Sequence, residues 1–307
     1  MIVALAGGTG GSKMVHGLAL AAGQRELTAI VNTGDDGEFF GLLVCPDLDI
    51  NLYCLAGVVA DRGWGYADDT FHCLEGLATY GHEAWFGLGD RDLATHIHRT
   101  LLMRGGARLS AVVDDLRGRL GVEARVLPMT DDPVRTVITT ASGEMRFQEY
   151  LVRDGAREEI DAICVEGLDE AAPAPGVIAA IERADLIVIA PSSPIVSIGT
   201  ILGVPGVRDA VAARRDRVVG VSPIISGAPV EGPAHKFLRG AGYAECSARK
   251  MAEIYADVCS TFVIHDSDAD EAADIQAMGV RPVLADILMP DHAARARLAR
   301  VVLEVMA

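Results

Sequence analysis

No pair among the six cysteines (Cys45, Cys54, Cys73, Cys164, Cys246 and Cys259) forms a CxxC motif. A zinc site is therefore not expected. The mostly apolar or helical surroundings of these residues read as reduced, buried thiols of a cytoplasmic protein. No uninterrupted apolar run reaches the roughly 18 residues of a membrane span, so no membrane association is expected. The start, MIVALAGGTGG, is too briefly apolar for a secretory signal and lacks a basic residue. Basic charge is scarce, with 27 Lys and Arg against 43 Asp and Glu, a net charge of −16 with His neutral. That balance excludes general nucleic-acid binding, which needs clustered basic side chains to neutralise phosphates. An anionic ligand would have to be held by local donors and metal ions against the overall field. There is no HExxH metal spacing, no GxSxG nucleophile elbow, no GxxxxGK[ST] loop and no strict GxGxxG. Internal repeats and low-complexity linkers are also missing.

What remains is an ordinary folded composition, 50% hydrophobic and 23% charged over 307 residues, enough for a sizeable core. A short apolar run, Ile2 to Ala6, meets a glycine cluster. A helix is expected from about Ser12 to Ala22, then a second strand from Leu27 to Val31. This order opens a parallel α/β sheet. From about 51 to 121 apolar residues recur at helical spacing, as in Leu109, Val112, Val113, Leu116 and Leu120, which predicts an inserted helical layer. Arg125–Met129, Val134–Thr140 and Met145–Val152 read as strands, the last two as a hairpin. Alternation then resumes, with strands at Leu186–Ala190, Val218–Val221 and Thr261–His265. Helices are expected at Val177–Ala184, Ala234–Gly240, Ala248–Tyr255 and His292–Met306. One α/β domain over 1–307, with a helical insertion at about 51–121, is simpler than two domains.

Several segments carry candidate chemistry. In Gly7-Gly8-Thr9-Gly10-Gly11-Ser12-Lys13, glycines let backbone approach a phosphate, a helix N-terminus offers N–H groups, and Lys13 adds charge. A ligand loop is favoured over a bare turn, because four glycines exceed what a turn needs. Asn32-Thr33-Gly34-Asp35-Asp36-Gly37 lies at the carboxyl end of the second strand, where doubly wound sheets bind ligands, although a polar turn explains it as well. Asp47 and Asp49, two apart at a helix start, suit a hard cation such as Mg²⁺, or simple N-capping. In Gly89-Asp90-Arg91-Asp92-Leu93-Ala94-Thr95-His96, the two acids can steady Arg91, and His96 shares a face with Asp92. A surface salt-bridge cluster is the plain alternative. His96 and His98 point to different faces. The loops Ala190–Thr200, with Ser192, Ser193 and Ser197, and Val221–Gly227, with Ser222 and Ser226, follow buried strands and offer hydroxyl and N–H donors as phosphate or nucleotide cradles. Asp131-Asp132-Pro133 reads as a structural turn.

Taken in order, AGGTGGSK, VNTGDD, CPDLD, RGWG, LGDRDLATH, LPMTDDPV, FQEY, APSSPIVSIGTIL, VPGVRDA and VSPIISGAPVEGPA resemble one family, the 2-phospho-L-lactate transferases of coenzyme F-420 biosynthesis (CofD, or FbiA in actinobacteria). The resemblance runs from about residue 1 to 266. It implies a Rossmann-like, mostly parallel α/β fold and a homodimer. It also implies transfer of a phospholactyl-type group (phospholactate, phosphoenolpyruvate or phosphoglycerate) from a guanosine-diphosphate-linked donor to the ribityl hydroxyl of the deazaflavin Fo. GMP is released and Mg²⁺ is required. Carried over, Asp49 is the position tied to Fo and metal, and Arg91 the position tied to Fo. Asn32, Thr95 and His96 are expected beside the substrate. Gly8, Thr9, Gly10, Gly11, Lys13 and the five loop serines are expected beside nucleotide and phosphate. Asp47 or Asp35 is expected to take the hydroxyl proton. Tyr150 departs from the tryptophan that some relatives carry after FQE. The single sequence does not discriminate among the three acids. The gluconeogenesis-factor type, a nucleotide-sugar-binding regulator, shares the GGTG start and the NTGDD-like turn, but the LGDRDLATH and FQEY segments favour the transferase. A dehydrogenase is disfavoured by the glycine spacing.

Overall fold

The structure is a computed structural model that describes residues 1–305. Its centre is a seven-stranded, wholly parallel sheet: β1 (Ile2–Ala6), β2 (Leu27–Val31), β3 (Arg125–Pro128), β4 (Leu186–Ile189), β5 (Val218–Val221), β6 (Thr261–His265) and β7 (Arg281–Ala285), in spatial order β7-β6-β5-β4-β1-β2-β3. The central strands are apolar on both faces because helices cover both. Along β1, Ile2, Ala4 and Ala6 join one core, and Val3 and Leu5 join the other. The first core is filled by α1 (Gly8–Ala22), α2 (Pro46–Ala56), α5 (Leu109–Arg119) and the last helix, His292–Glu304. The second is filled by helices at Val177–Arg183, Ile198–Gly203, Val207–Ala212 and Ala248–Ile254.

Between β2 and β3 the chain makes a small antiparallel hairpin (Gly37–Phe39 with Leu42–Val44), then α2, α3 (His72–Thr79), α4 (Asp90–Arg104) and α5. Between β3 and β4 it forms a three-stranded antiparallel sheet of Gly143–Arg146, Arg135–Thr140 and Ala162–Glu166.

Three sequence expectations need correction. Helix α1 starts at Gly8, not near Ser12, so most of the glycine cluster is the first helical turn. The strand expected over Met145–Val152 ends at Arg146, and Glu149–Arg153 is a π-helical turn. There Tyr150 is fully buried against Phe237 and donates to the Glu158 carbonyl at 2.8 Å, so it supports the core instead of facing a ligand. Strand β7 was not expected, because a half-exposed edge strand containing Pro282 has no apolar run. All six cysteines are free, but only Cys45, Cys54 and Cys259 are buried, and Cys73 and Cys164 are exposed. The end of the last helix, expected at Met306, falls outside the described residues. No helix among the described residues is long and apolar enough to cross a membrane.

Candidate active site

The strand order reverses between β1 and β4. Their carboxyl ends feed the Gly7 turn and the Pro191-Ser192-Ser193 loop, and such a crevice is where open α/β sheets bind ligands. A cavity of about 420 Å³ opens there. A second, of about 400 Å³, shares Asp35, Phe86, Phe147 and Gln148 with it and is walled by Phe39, Phe40 and Trp85.

The two loops are fastened together. Ser192 Oγ donates to the Gly7 carbonyl at 2.7 Å and accepts the Gly7 N–H at 3.2 Å. The glycines answer to this closeness. A Cβ on Gly10 would meet the Pro191 carbonyl oxygen at 2.3 Å, and one on Gly11 would meet Ser192 Oγ at 2.6 Å. Gly8 alone in the cluster has positive φ (62°) with open space at its Cβ, on the cavity side. The cluster is therefore partly a packing device and partly a ligand turn. Lys13 lies on the cavity wall, ion-paired with Glu231 from the loop that follows the β5 end.

Five carboxylates line the main cavity: Glu231 and the aspartates Asp35, Asp47, Asp49 and Asp92. Asp47 accepts the Gly8 N–H at 2.8 Å and Asn32 Nδ2 at 2.9 Å, while Asn32 Oδ1 holds the Gly34 N–H at 2.9 Å. Burial pushes the Asp47 carboxyl up to about 6. Asp35 is raised well above the carboxylate range by burial and then by the charges of Asp47 and Asp36, and its Oδ1 is buried without a partner. Asp49 gives both oxygens to Arg99, with Nη1 on Oδ2 at 3.1 Å and Nη2 on Oδ1. Arg99 is 0% exposed, and a buried guanidinium needs such a partner. Arg99 Nη1 also lies 3.1 Å from His96 Nδ1. His96 Nε2 stands 3.3 Å from Asp92 Oδ1, which accepts the Tyr53 hydroxyl at 2.8 Å. Burial raises the Asp92 carboxyl, but His96, Tyr53 and the Arg99 charge more than reverse this, leaving it below its ordinary value.

Of the residues singled out in the sequence, Gly8, Thr9, Gly10, Lys13, Asp35, Asp47, Asp49, His96, Ser192, Ser193, Ser197 and Ser222 converge on this cavity. Five do not line it. Gly11 is packed beneath Ser192, and Asn32 stands behind Asp47 as its support. Arg91 is exposed and donates to the Ala67 carbonyl at 3.2 Å. Thr95 is buried on α4. Ser226 lies in a turn at φ 50°, its N–H on Asp268 at 2.7 Å. Of the lining serines, Ser192 fastens loops, Ser193 Oγ braces the Val196 N–H at 3.3 Å, and Ser222 braces Ile224 at 3.0 Å. His98 pairs with Asp115 of α5 at 2.7 Å, away from His96 as expected. Sequence reasoning missed Tyr53, Arg99 and Glu231. Arg99 had a signal: with Asp92 and His96 it repeats at four and three residues, one helix face.

A Rossmann-like α/β enzyme fold, with acidic side chains and a glycine turn facing a cavity at the strand-order reversal, is the class that the fold and site define. The family model described as 2-phospho-L-lactate transferase CofD matches residues 2–304, and the chain belongs to that transferase family. A Streptomyces coelicolor protein named phosphoenolpyruvate transferase is 47% identical over 97% of this chain and 96% of its own. One of the same name from Thermobifida fusca is 49% identical over 88% and 87%. In fold alone, the chain resembles a solved Bacillus halodurans protein of the UPF0052 family, 18% identical over 98% of each chain with a TM-score of 0.63.

Proposed function

We propose that this enzyme transfers a phosphoenolpyruvate-derived group from a guanosine-diphosphate-linked donor to the ribityl hydroxyl of the deazaflavin Fo, a step of coenzyme F-420 biosynthesis, with release of GMP. The choice of acid follows the relatives' name, phosphoenolpyruvate transferase. The observation that carries the reading is the composition of the one crevice. Thr9, Lys13 and Ser197 offer donors to a diphosphate, while Tyr53, Trp64, Phe86 and Phe147 offer flat apolar surface to a ring system. The hydroxyl oxygen bonds to the phosphorus that bears the acid, and the bond from that phosphorus to the oxygen of GMP breaks. The hydroxyl proton goes to a carboxylate of the wall. Positioning and charge neutralisation supply most of the catalysis in such a transfer.

Mg²⁺ fits the residues present, though not with Asp49 as its main ligand. Both Asp49 oxygens are taken by Arg99, whereas Asp35 has an orphaned buried oxygen and repels its neighbour Asp47. Asp35 would hold the ion, with the Asp47 charge beside it, and few protein carboxylates are needed where substrate phosphates complete the shell. When bound, it would neutralise phosphate charge.

The test is purified protein with Fo, Mg²⁺ and each GTP-activated three-carbon acid, products read by mass spectrometry. A deazaflavin gaining the phosphoenolpyruvyl group is the expected product. Reaction with another acid only would correct the donor, and no product with any donor would favour the nucleotide-sugar-binding regulator.

A further inference from the structure

We propose that Arg99 is a positioning residue for the transfer: acting through His96, it makes Asp92 the group that accepts the hydrogen bond, and then the proton, of the attacking hydroxyl. The proposal rests on the transfer reading above and narrows it to one carboxylate.

A guanidinium only donates. Arg99 Nη1 faces His96 Nδ1 at 3.1 Å, one helical turn away and wholly buried. Nδ1 must therefore be the bare, accepting nitrogen, and the neutral ring carries its proton on Nε2. That Nε2 is buried with no well-aligned partner, and Asp92 Oδ1 stands 3.3 Å away. Tyr53 donates to the same Oδ1. Arg99 thus aims the His96 Nε2–H towards the Asp92 oxygen that already accepts the Tyr53 hydroxyl. Asp92 Oδ2 has no hydrogen-bond partner among the described residues, and the side chain lines the cavity. The other four carboxylates of the wall are committed, Glu231 by its ion pair with Lys13. Asp49 is held by Arg99 through both oxygens, Asp47 is held by Gly8 and Asn32, and Asp35 is the group suited to the cation. With the opposite tautomer, His96 would turn a lone pair towards Asp92 and release it from its place. In the step itself the hydroxyl proton passes to Asp92 Oδ2 as the new phosphorus–oxygen bond forms and GMP leaves.

The experiment is long-range ¹H–¹⁵N correlation of ¹⁵N-histidine-labelled protein near neutral pH, with His96 assigned from a His96→Gln sample. The expected wild-type spectrum shows Nε2 protonated and Nδ1 bare, and Arg99→Met loses that pattern. Turnover is measured beside it. Asp92→Asn should lower kcat about 10²- to 10⁴-fold, the range for a general base, with donor KM little changed. A wild-type His96 protonated on Nδ1, or full kcat in Asp92→Asn, would overturn the proposal, and neither readout depends on Arg99→Met folding. The spectrum needs no substrate, so an intact tautomer with no turnover of any donor would reject the transfer reading instead of the tautomer lock.

Discussion

Asp35 is the residue at which the proposed function and stability are set most clearly against each other. Burial and the charges of Asp47 and Asp36 raise its carboxyl well above the usual range. The folded state thus holds a proton that the unfolded chain gives up near the ordinary carboxylate pKa, and stability falls as pH rises through and above that value. Asp35→Asn should therefore raise Tm at pH 8, with the gain fading towards pH 4, while transfer activity is lost. Added Mg²⁺ should raise the Tm of wild type more than that of Asp35→Asn; equal shifts in both would remove Asp35 from the cation. For the Asp49–Arg99 pair the prediction has the other sign. Arg99→Met strands a buried carboxylate and should cost about 3–5 kcal/mol by chemical denaturation, and pairing it with Asp49→Asn should recover much of that. The acids and His96 were legible in the sequence because cavity-facing carboxylates sit just beyond strand ends and at helix starts. Arg99 was not, since nothing local distinguishes a buried arginine from a solvated one: its partner, Asp49, is fifty residues away.

Helix α1 carries two jobs along one axis. Its first turn faces the cavity, and its middle lies against the last helix so closely that a Cβ on Gly17 would meet the Arg295 carbonyl oxygen at 2.4 Å. Gly17→Ala should destabilise by about 1–3 kcal/mol, the usual range for overpacking, checked by denaturant unfolding. His16 lies at the same contact, with Arg295 Nη1 on its Nδ1 at 3.1 Å and the His292 ring 4.7 Å away. Burial first, then the charges of Arg295 and His292, push it down to about 4. The unfolded chain takes up a proton near 6.5 that the folded helix pair refuses until about 4, so stability present above 6.5 is lost as pH falls between those values. Thermal unfolding across that window should show the loss in wild type and a flatter profile in His16→Gln. Interior strands such as β1, β2, β5 and β6 were readable to the residue, because double burial makes them short apolar runs. The first turn of α1 was not readable as helix, because four glycines argue against helix locally and only the approach of Pro191 and Ser192 explains them. Edge strand β7 left no pattern for the same reason in reverse: little of it is buried.

At the scale of the molecule, the problem is how an acidic protein, −16 overall, would take the anionic donor proposed for it. Long-range attraction cannot recruit such a ligand, so the donors at the crevice have to act at contact distance. Glu231→Gln should remove a competing anion at Lys13 and lower the donor's KM several-fold, with kcat little changed; an unchanged KM would show that the loop stays paired with Lys13 during turnover. The pairing of Lys13 with Glu231 would also make entry of the proposed donor an exchange of one anion for another. An exchange of this kind works as a threshold: a singly charged phosphate ester offers Lys13 little more than Glu231 already does, whereas a diphosphate brings charge to spare. The ion pair would thus screen cellular metabolites by charge number before shape is consulted.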